Sequence, residues 1–351
     1  MSVLKKTCPD IKKMSGGSSM SFRKENKKIC VAGAGYWGEN HIKTLYGTGN
    51  LEGIVEVDSS RLRSLLEKYP SINGHGSIEE ALVHGYDGYV VATPAETHYK
   101  IGSILLMNKQ NVLIEKPLAL NSRDSLSLVR IAEENRSKLM VGHLMLFHPA
   151  IVKIKEMVDL GIIGDLRYIY SHRLSLGKVR TEENALWSLA PHDISILNYL
   201  TGKVPKTMNA SGGCYLNSGI EDTALASYSY PGNINAHVFV SWLHPFKEHR
   251  LTIIGSKAML AFEDTSPEKK ILFYDSGFEF VDGNPVKREK SAEIIPYEPS
   301  KPLDNELNYF IKYLDSQLSL SDGKSGHEVV EILERTDECL KAWKNHWHQE
   351  A

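Results

Sequence analysis

The sequence predicts an α/β protein: a doubly wound parallel Rossmann sheet, then an α+β domain carrying a mostly antiparallel open sheet. Three observations predict it. Short, nearly all-apolar runs alternate with amphipathic stretches from Ile29 onward. A glycine-rich loop, Gly33-Ala34-Gly35-Tyr36-Trp37-Gly38, follows the first run, and after about Pro149 the rhythm changes to longer segments of alternating polarity. The expected organisation is a flexible basic arm over 1–26, a first domain over 27–148 and a second over 149–351 that ends in long helices.

Ile29-Cys30-Val31-Ala32 reads as a buried strand, and the stretch through about Leu45 as the helix that the glycine loop opens. Gly53–Asp58 reads as a second strand, Ser60–Lys68 as a helix, with a short third strand near Ile72. Ser77-Ile78-Glu79-Glu80 has the form of a capping box, in which the serine and the glutamate serve orphan amides reciprocally. Tyr89–Ala92 and Val112–Ile114 read as the next strands, separated by a helix over about Thr97–Asn108, and Leu139–Leu146 as a sixth. Strands this apolar need cover on both faces, which a parallel sheet with crossover helices supplies.

In the second domain a helix through about Val158 precedes strands at Leu166–Leu174, Thr223–Tyr230, Asn235–Leu243, Arg250–Ile254, Met259–Phe262 and Ile271–Tyr274. Helices over about Asp304–Leu318 and Gly326–Trp347 end the chain. An antiparallel sheet can leave one face to solvent or to another subunit. The cleft between the domains is the expected active site.

Composition narrows the function classes. The 351 residues suffice for about two domains. With 41 Lys+Arg against 43 Asp+Glu, the net charge of −2 draws neither nucleic acid nor anionic lipid. No apolar run approaches the roughly 20 residues of a membrane helix. Cys8, Cys30, Cys214 and Cys339 are too dispersed for a zinc site or a disulfide framework, so reduced thiols and a cytoplasmic location are expected. His, Cys and acidic residues show no metal-ligand spacing, so no metal is expected.

The glycine loop has the context that dinucleotide binding requires. Gly33 permits the tight turn, Gly35 lets the backbone approach a pyrophosphate, and Gly38 allows close helix–strand packing. The helix N-terminus beyond offers free amides and the positive end of its dipole. Asp58 lies at the expected end of the second strand, where a carboxylate can accept from ribose hydroxyls and repel a 2′-phosphate. The expected cofactor is NAD rather than NADP, although Ser59, Ser60 and Arg61 follow. Tyr36 and Trp37 are expected either to shield the cofactor or to pack.

Glu115-Lys116-Pro117 ends the fifth strand, at the sheet edge where ligands bind. Lys116 there can hydrogen-bond a substrate hydroxyl and stabilise a developing alkoxide; the alternative is pairing with Glu115 or contact with the cofactor. His192 is expected near the N-terminus of a helix whose first position suits Pro191, where the dipole favours a neutral imidazole base. Asp193 is expected at the helix-terminal amides or in the substrate cleft. His98, after Thr93-Pro94, is a candidate for the nicotinamide side of the pocket, and His143 and His148 are either packed or functional. Arg167, Arg173, Lys178 and Arg180 form a local basic stretch suited to a diphosphate or to a solvated surface, with Trp187 beside it.

Val31–Gly38, Thr93-Pro94 with His98, Glu115-Lys116-Pro117 and Pro191-His192, in that order, resemble the Gfo/Idh/MocA family of NAD(P)-dependent sugar dehydrogenases. The resemblance spans about Lys27 to Trp347. It implies Lys116 and His192 as catalytic residues, and a homodimer or homotetramer built through the open sheet. Where many members carry an aspartate four residues before the histidine, this sequence has Ser188. Tyr36–Asn40, Gly142–Leu144, Arg173–Gly177 and Leu186–Asp193 resemble a branch that includes UDP-N-acetylglucosamine 3-dehydrogenases, serving surface polysaccharide or lipid A synthesis. The expected reaction is therefore oxidation of a secondary hydroxyl on a sugar or nucleotide sugar. The alternatives are an inositol or free-sugar dehydrogenase, a glycosidase that oxidises transiently through NAD, and a non-enzymatic NAD-binding regulator.

Overall fold

The structure, a computed structural model, describes residues 27–350, with side chains through Trp343. The expected arm over 1–26 lies outside the described residues. Among them, no helix is long and apolar enough to cross a membrane.

The first sheet is parallel throughout. Its strands are β1 (Ile29–Ala32), β2 (Leu51–Val55), β3 (Asn73–His75), β4 (Gly88–Val91), β5 (Val112–Glu115) and β6 (Leu139–Gly142). They stand in the order β3-β2-β1-β4-β5-β6. The order reverses between β1 and β4, which opens a crevice at their carboxyl ends. Connecting helices are α1 (Tyr36–Gly47), α2 (Ser59–Lys68), α3 (Ile78–Leu82), α4 (His98–Met107) and α5 (Ser122–Asn135). The capping box forms at α3: Ser77 accepts from Glu80 N, and Glu80 reaches back one residue further than expected, to Gly76 N. β6 is shorter than predicted, because the chain turns into a single 3-10 stretch at Leu144–Phe147. That apolar run packs inward as a turn and so mimics a strand in the sequence.

The second unit contains α6 (Pro149–Asp159), β7 (Leu166–Leu176), α7 (Ala185–Thr201), β8 (Thr207–Gly213), β9 (Thr223–Tyr230), β10 (Ile234–Ser241), β11 (Leu243–Gly255), β12 (Met259–Glu263), β13 (Ile271–Tyr274), β14 (Gly277–Val281), β15 (Asn284–Arg288) and β16 (Glu293–Ile295). Its main sheet runs β16-β13-β12-β11-β7-β10-β9-β8. Every pair is antiparallel except β7 with β10. In β9 the buried residues alternate strictly with exposed ones, so the sheet has one covered and one open face. On the open face, half-buried Tyr170 stacks on His237, and Phe239 lies edge-on to His172.

Two final helices, α8 (Pro302–Lys312) and α9 (Gly323–Glu350), return to the first sheet. Gly88 at the start of β4 leaves room for Phe310 and Leu314, and Gly326 leaves room for Val141 of β6. One apolar core therefore runs from Val31, Val90 and Leu113 through Phe310 to Ile194 and Val238. That continuity fixes α7 against the carboxyl edge of the first sheet.

Candidate active site

The glycine loop folds as its spacing requires. Gly33 adopts φ +91°, and a Cβ there would lie 2.8 Å from Ala92 O. A Cβ on Gly38 would lie 2.0 Å from Gly33 O, whereas one on Gly35 would meet nothing within 4 Å. Two glycines thus close the turn, and the third leaves backbone open to an approaching pyrophosphate at the N-terminus of α1. This cradle fits a dinucleotide.

The acid beside it is a correction. Strand β2 ends at Val55 rather than at Asp58, and Asp58 is the exposed N-cap of α2, accepting from Ser60 N at 2.9 Å and Arg61 N at 3.0 Å. These bonds hold its carboxyl below the ordinary value. The carboxylate at the strand end is the buried Glu56, whose Oε2 accepts from Ala34 N of the glycine loop at 3.0 Å. Asp followed by Ser-Ser-Arg is a helix-start signature, and that signal separates the two acids.

Glu115, the last residue of β5, ties α1, which the glycine loop opens, to the carboxyl end of β5. Its Oε1 accepts from Trp37 Nε1 at 2.5 Å and from His41 Nε2 at 2.7 Å, and Oε2 accepts from Lys116 N at 3.2 Å. Burial pushes the Glu115 carboxyl up, but the His41 and Trp37 bonds and the charges of His41 and Lys116 outweigh it and hold it low. Trp37 therefore braces Glu115, while Tyr36 stands 90% exposed at the start of α1.

Lys116 follows, half-buried, with a cis bond to Pro117. Its Nζ donates to Ser188 O at 3.2 Å. Burial lowers the ammonium from its ordinary value, opposed by Glu183 and Glu115 and reinforced by Arg180 and Arg173.

His192 lies one turn beyond Ser188 on the same face of α7, which brings it beside Lys116. The expectation of a helix start at Pro191 is corrected: α7 begins at Ala185, capped by the Asn184 side chain on Trp187 N, and Pro191 is internal. Having no N–H, Pro191 leaves Trp187 O without its helical donor, while Lys116 reaches the next carbonyl, Ser188 O. The dipole account of a neutral His192 fails with this placement. Burial does the work instead, helped by the positive charges of Arg173 and Lys116, and it holds the imidazole well below its ordinary value. Its Nδ1 is buried without a partner.

Residues 27–143 match the family described as "Oxidoreductase family, NAD-binding Rossmann fold", and residues 151–261 match the C-terminal domain of the same Gfo/Idh/MocA family. The chain belongs to the Gfo/Idh/MocA family. As such it is an oxidoreductase with an NAD-binding Rossmann domain. It is similar to a UDP-N-acetylglucosamine 3-dehydrogenase of Acidithiobacillus ferrooxidans, 26% identical over 188 residues, which is 52% of this chain and 56% of that one. The solved structure of that enzyme superposes with a TM-score of 0.80 at 22% identity, covering 90% of this chain and 98% of its own. An inositol 2-dehydrogenase of Corynebacterium glutamicum is 25% identical over 213 residues, 56% of this chain and 62% of that one. An oxidoreductase of Agrobacterium radiobacter solved with NAD+, L-tartaric acid and magnesium has a TM-score of 0.74 at 18% identity, covering 90% and 96% of the two chains.

Within this Gfo/Idh/MocA site, several predicted residues take other roles. His98 is buried, with Nδ1 2.8 Å from Pro117 O and Nε2 2.9 Å from Thr93 O. It cross-braces the loops after β4 and β5 and has no ring nitrogen left for a cofactor. Thr93 packs its methyl against Gly33, with Pro94 next in the same loop. Asp193 is spent on Arg173 and Ser171, so neither it nor most of the Arg173 guanidinium is open to substrate. Arg167 is exposed at the far end of β7, Lys178 is exposed, and Arg180 lies 3.8 Å from Glu183. The expected basic stretch is therefore dispersed. Half-buried Trp187 packs against the cores of both units. His143 is the residue that gains: it is 1% exposed, both ring nitrogens lack partners, and Glu115, Lys116 and His192 are its titratable neighbours.

Proposed function

We propose that the protein oxidises a secondary hydroxyl of a sugar with NAD, the first candidate being C3 of a nucleotide sugar such as UDP-N-acetylglucosamine. One observation carries the reading: Lys116 Nζ is held 3.2 Å from Ser188 O, one helical turn before His192, at the sheet edge beside the glycine cradle. A neutral His192 takes the hydroxyl proton as general base. The Lys116 ammonium donates to the same oxygen as negative charge develops. NAD, when bound, supplies the hydride acceptor. Gly33, Gly35 and Gly38 would hold its pyrophosphate and Glu56 its adenosine ribose, which favours NAD over NADP.

The nucleotide-sugar assignment is supported by likeness to the Acidithiobacillus enzyme. A second reading, a free polyol such as an inositol, is favoured by the engagement of the Arg173 guanidinium with buried Asp193, which withholds it from a diphosphate. The aromatic and histidine side chains on the open sheet face suit burial against a second copy, so a dimer or tetramer is part of the proposal.

NADH absorbance with purified protein, NAD and a panel of nucleotide sugars and free polyols tests it. Turnover on UDP-N-acetylglucosamine supports the first reading, and turnover on free polyols alone supports the second. No NADH from any of them overturns both.

A further inference from the structure

Lys116 has a neighbour on the adjacent strand. The parallel register pairs Glu115 of β5 with Gly142 of β6, so the next residues of the two strands, Lys116 and His143, stand side by side at the carboxyl edge. A Cβ on Gly142 would lie 3.0 Å from the Glu115 carboxyl, which places that carboxylate across one face of β6. Side chains alternate along a strand, so Lys116 and His143 leave on the other face. Lys116 Nζ reaches Ser188 O of α7 at 3.2 Å, and the 3-10 turn that His143 opens packs against the same helix. The ends of β5 and β6 thus converge on the helix that carries His192.

His143 brings an unpaired ring to that junction. Its backbone is satisfied, with N donating to Val141 O at 2.7 Å and O accepting from Leu146 N at 2.9 Å. Its side chain is 1% exposed with no protein partner on Nδ1 or Nε2, and His192 Nδ1 is buried and unpartnered too. A buried donor or acceptor without a partner is costly, and native interiors hold few of them. Burial pushes the His143 ring down to about 4, against the pull of Glu115 and with the push of Lys116, so it is neutral at pH 7. A neutral imidazole offers one N–H and one bare nitrogen. An anion is repelled by the bare nitrogen, and a carbonyl leaves it unpaired. A hydroxyl, donor and acceptor at once, suits either side of the ring.

We propose that His143 is a substrate-binding residue that selects a vicinal diol: its ring holds the hydroxyl on the carbon next to the one oxidised, while Lys116 and His192 hold the reacting oxygen. This rests on the proposed roles of Lys116 and His192. Adjacent strands stand about 4.8 Å apart, so groups rooted at Lys116 and His143 suit oxygens on neighbouring carbons. A substrate with an isolated hydroxyl leaves the buried ring unpaired in the complex, and a site built to pair a hydroxyl discriminates strongly against its absence. For UDP-N-acetylglucosamine oxidised at C3 the hydroxyl is the one on C4, because C2 carries an acetamido group.

The test pairs each candidate substrate with a form that lacks the neighbouring hydroxyl. UDP-N-acetylglucosamine is compared with its 4-deoxy analogue, and myo-inositol with its 1,3-dideoxy analogue, which lacks both neighbours of C2. In the parent, the missing hydroxyl is expected to lower kcat/KM by about 10²-fold. His143→Leu is expected to lose about 10²-fold on the full substrate and to treat the full and deoxy forms alike within about threefold, whereas His143→Gln, which keeps a donor and an acceptor, retains a preference of about tenfold. Nitrogen-15 NMR of the whole NAD-loaded parent, titrated with UDP-N-acetylglucosamine and with myo-inositol, is expected to shift the ring nitrogens of both His143 and His192. A Leu variant with parental kcat/KM and the parental preference overturns the proposal. A probe that shifts the His192 nitrogens and leaves those of His143 unmoved overturns it too, with the reading of Lys116 and His192 left standing. Probes that move neither histidine overturn the sugar reading and the proposal together. The NMR arm uses the parent alone, so it decides even where a variant fails to fold.

Discussion

Arg173 and Asp193 form a two-pronged ion pair directly behind His192, Nε to Oδ2 at 2.9 Å and Nη2 to Oδ1 at 3.1 Å. Both residues are buried, and Ser171 Oγ adds a third bond to Asp193 at 2.6 Å. Removing one partner strands the other charge in the core. Asp193→Ala is expected to lower unfolding free energy by about 3–5 kcal/mol, while the double change Arg173→Met with Asp193→Leu recovers most of it. Urea unfolding measures both. A loss below about 1 kcal/mol for the single variant would mean that the pair is solvated.

In the proposed mechanism Lys116 and His192 serve the chemistry and not the binding of NAD. Neither belongs to the glycine cradle, and His192 stands a helix away from it on α7. Lys116→Ala is expected to reduce kcat by about 10²–10³ and His192→Ala by about 10²–10⁴. NAD affinity, followed by calorimetry, stays within about threefold for both. Parental turnover in either variant removes that residue from the mechanism.

On the proposed reading, Glu56 rather than Asp58 holds the adenosine ribose, since Asp58 caps α2. Glu56→Gln is expected to weaken NAD binding about tenfold and to narrow the preference over NADP, because a hydrogen bond to a charged acceptor contributes about 1.5–3 kcal/mol. Asp58→Ala leaves NAD affinity unchanged and costs about 1 kcal/mol of stability as a lost helix cap. Paired titrations with NAD and NADP decide. The opposite pattern would return the ribose to Asp58.

What the sequence made legible follows from which interactions are local. The glycine loop, the apolar strands and the strand-end lysine were readable because turn geometry and strand periodicity act over a few residues. The place of Glu56, rather than Asp58, at the strand end turned on a boundary only three residues from where it is expected. The internal Pro191 mimics a first helical position because Asn184, the true cap, precedes an apolar turn that hides the helix start. The partners of Glu115, at Trp37 and His41, and those of Asp193, at Ser171 and Arg173, are far apart in sequence and carry no local pattern. Glu306 and His143 were unreadable for the same reason: only tertiary packing shows that they are buried without partners.

That burial has a consequence for acid stability. Burial first, and Lys116 second to the opposing pull of Glu115, puts the His143 imidazole down at about 4 against an ordinary 6.5. Burial, with Arg173 and Lys247, does the same for His249, also to about 4. In the unfolded chain both histidines take up protons as pH falls through about 6.5, whereas the folded protein resists until about 4. Over that window the unfolded state binds more protons, so stability falls with falling pH and levels off below about 4. At about 1.36 kcal/mol per pKa unit, His143 alone accounts for about 3 kcal/mol of the loss. Urea unfolding at pH 7.5, 5.5 and 4.5 is expected to show this limb, and His143→Leu to make it shallower by that amount. His192 shifts in the same direction, so its loss as a base lies below this range, and kcat for hydroxyl oxidation is expected to hold from pH 8 to about 6. An acid limb of identical slope in parent and His143→Leu would mean that His143 is protonated, or reached by water, in the folded protein. Its two unpartnered nitrogens would then be donors to the cleft rather than a buried neutral ring.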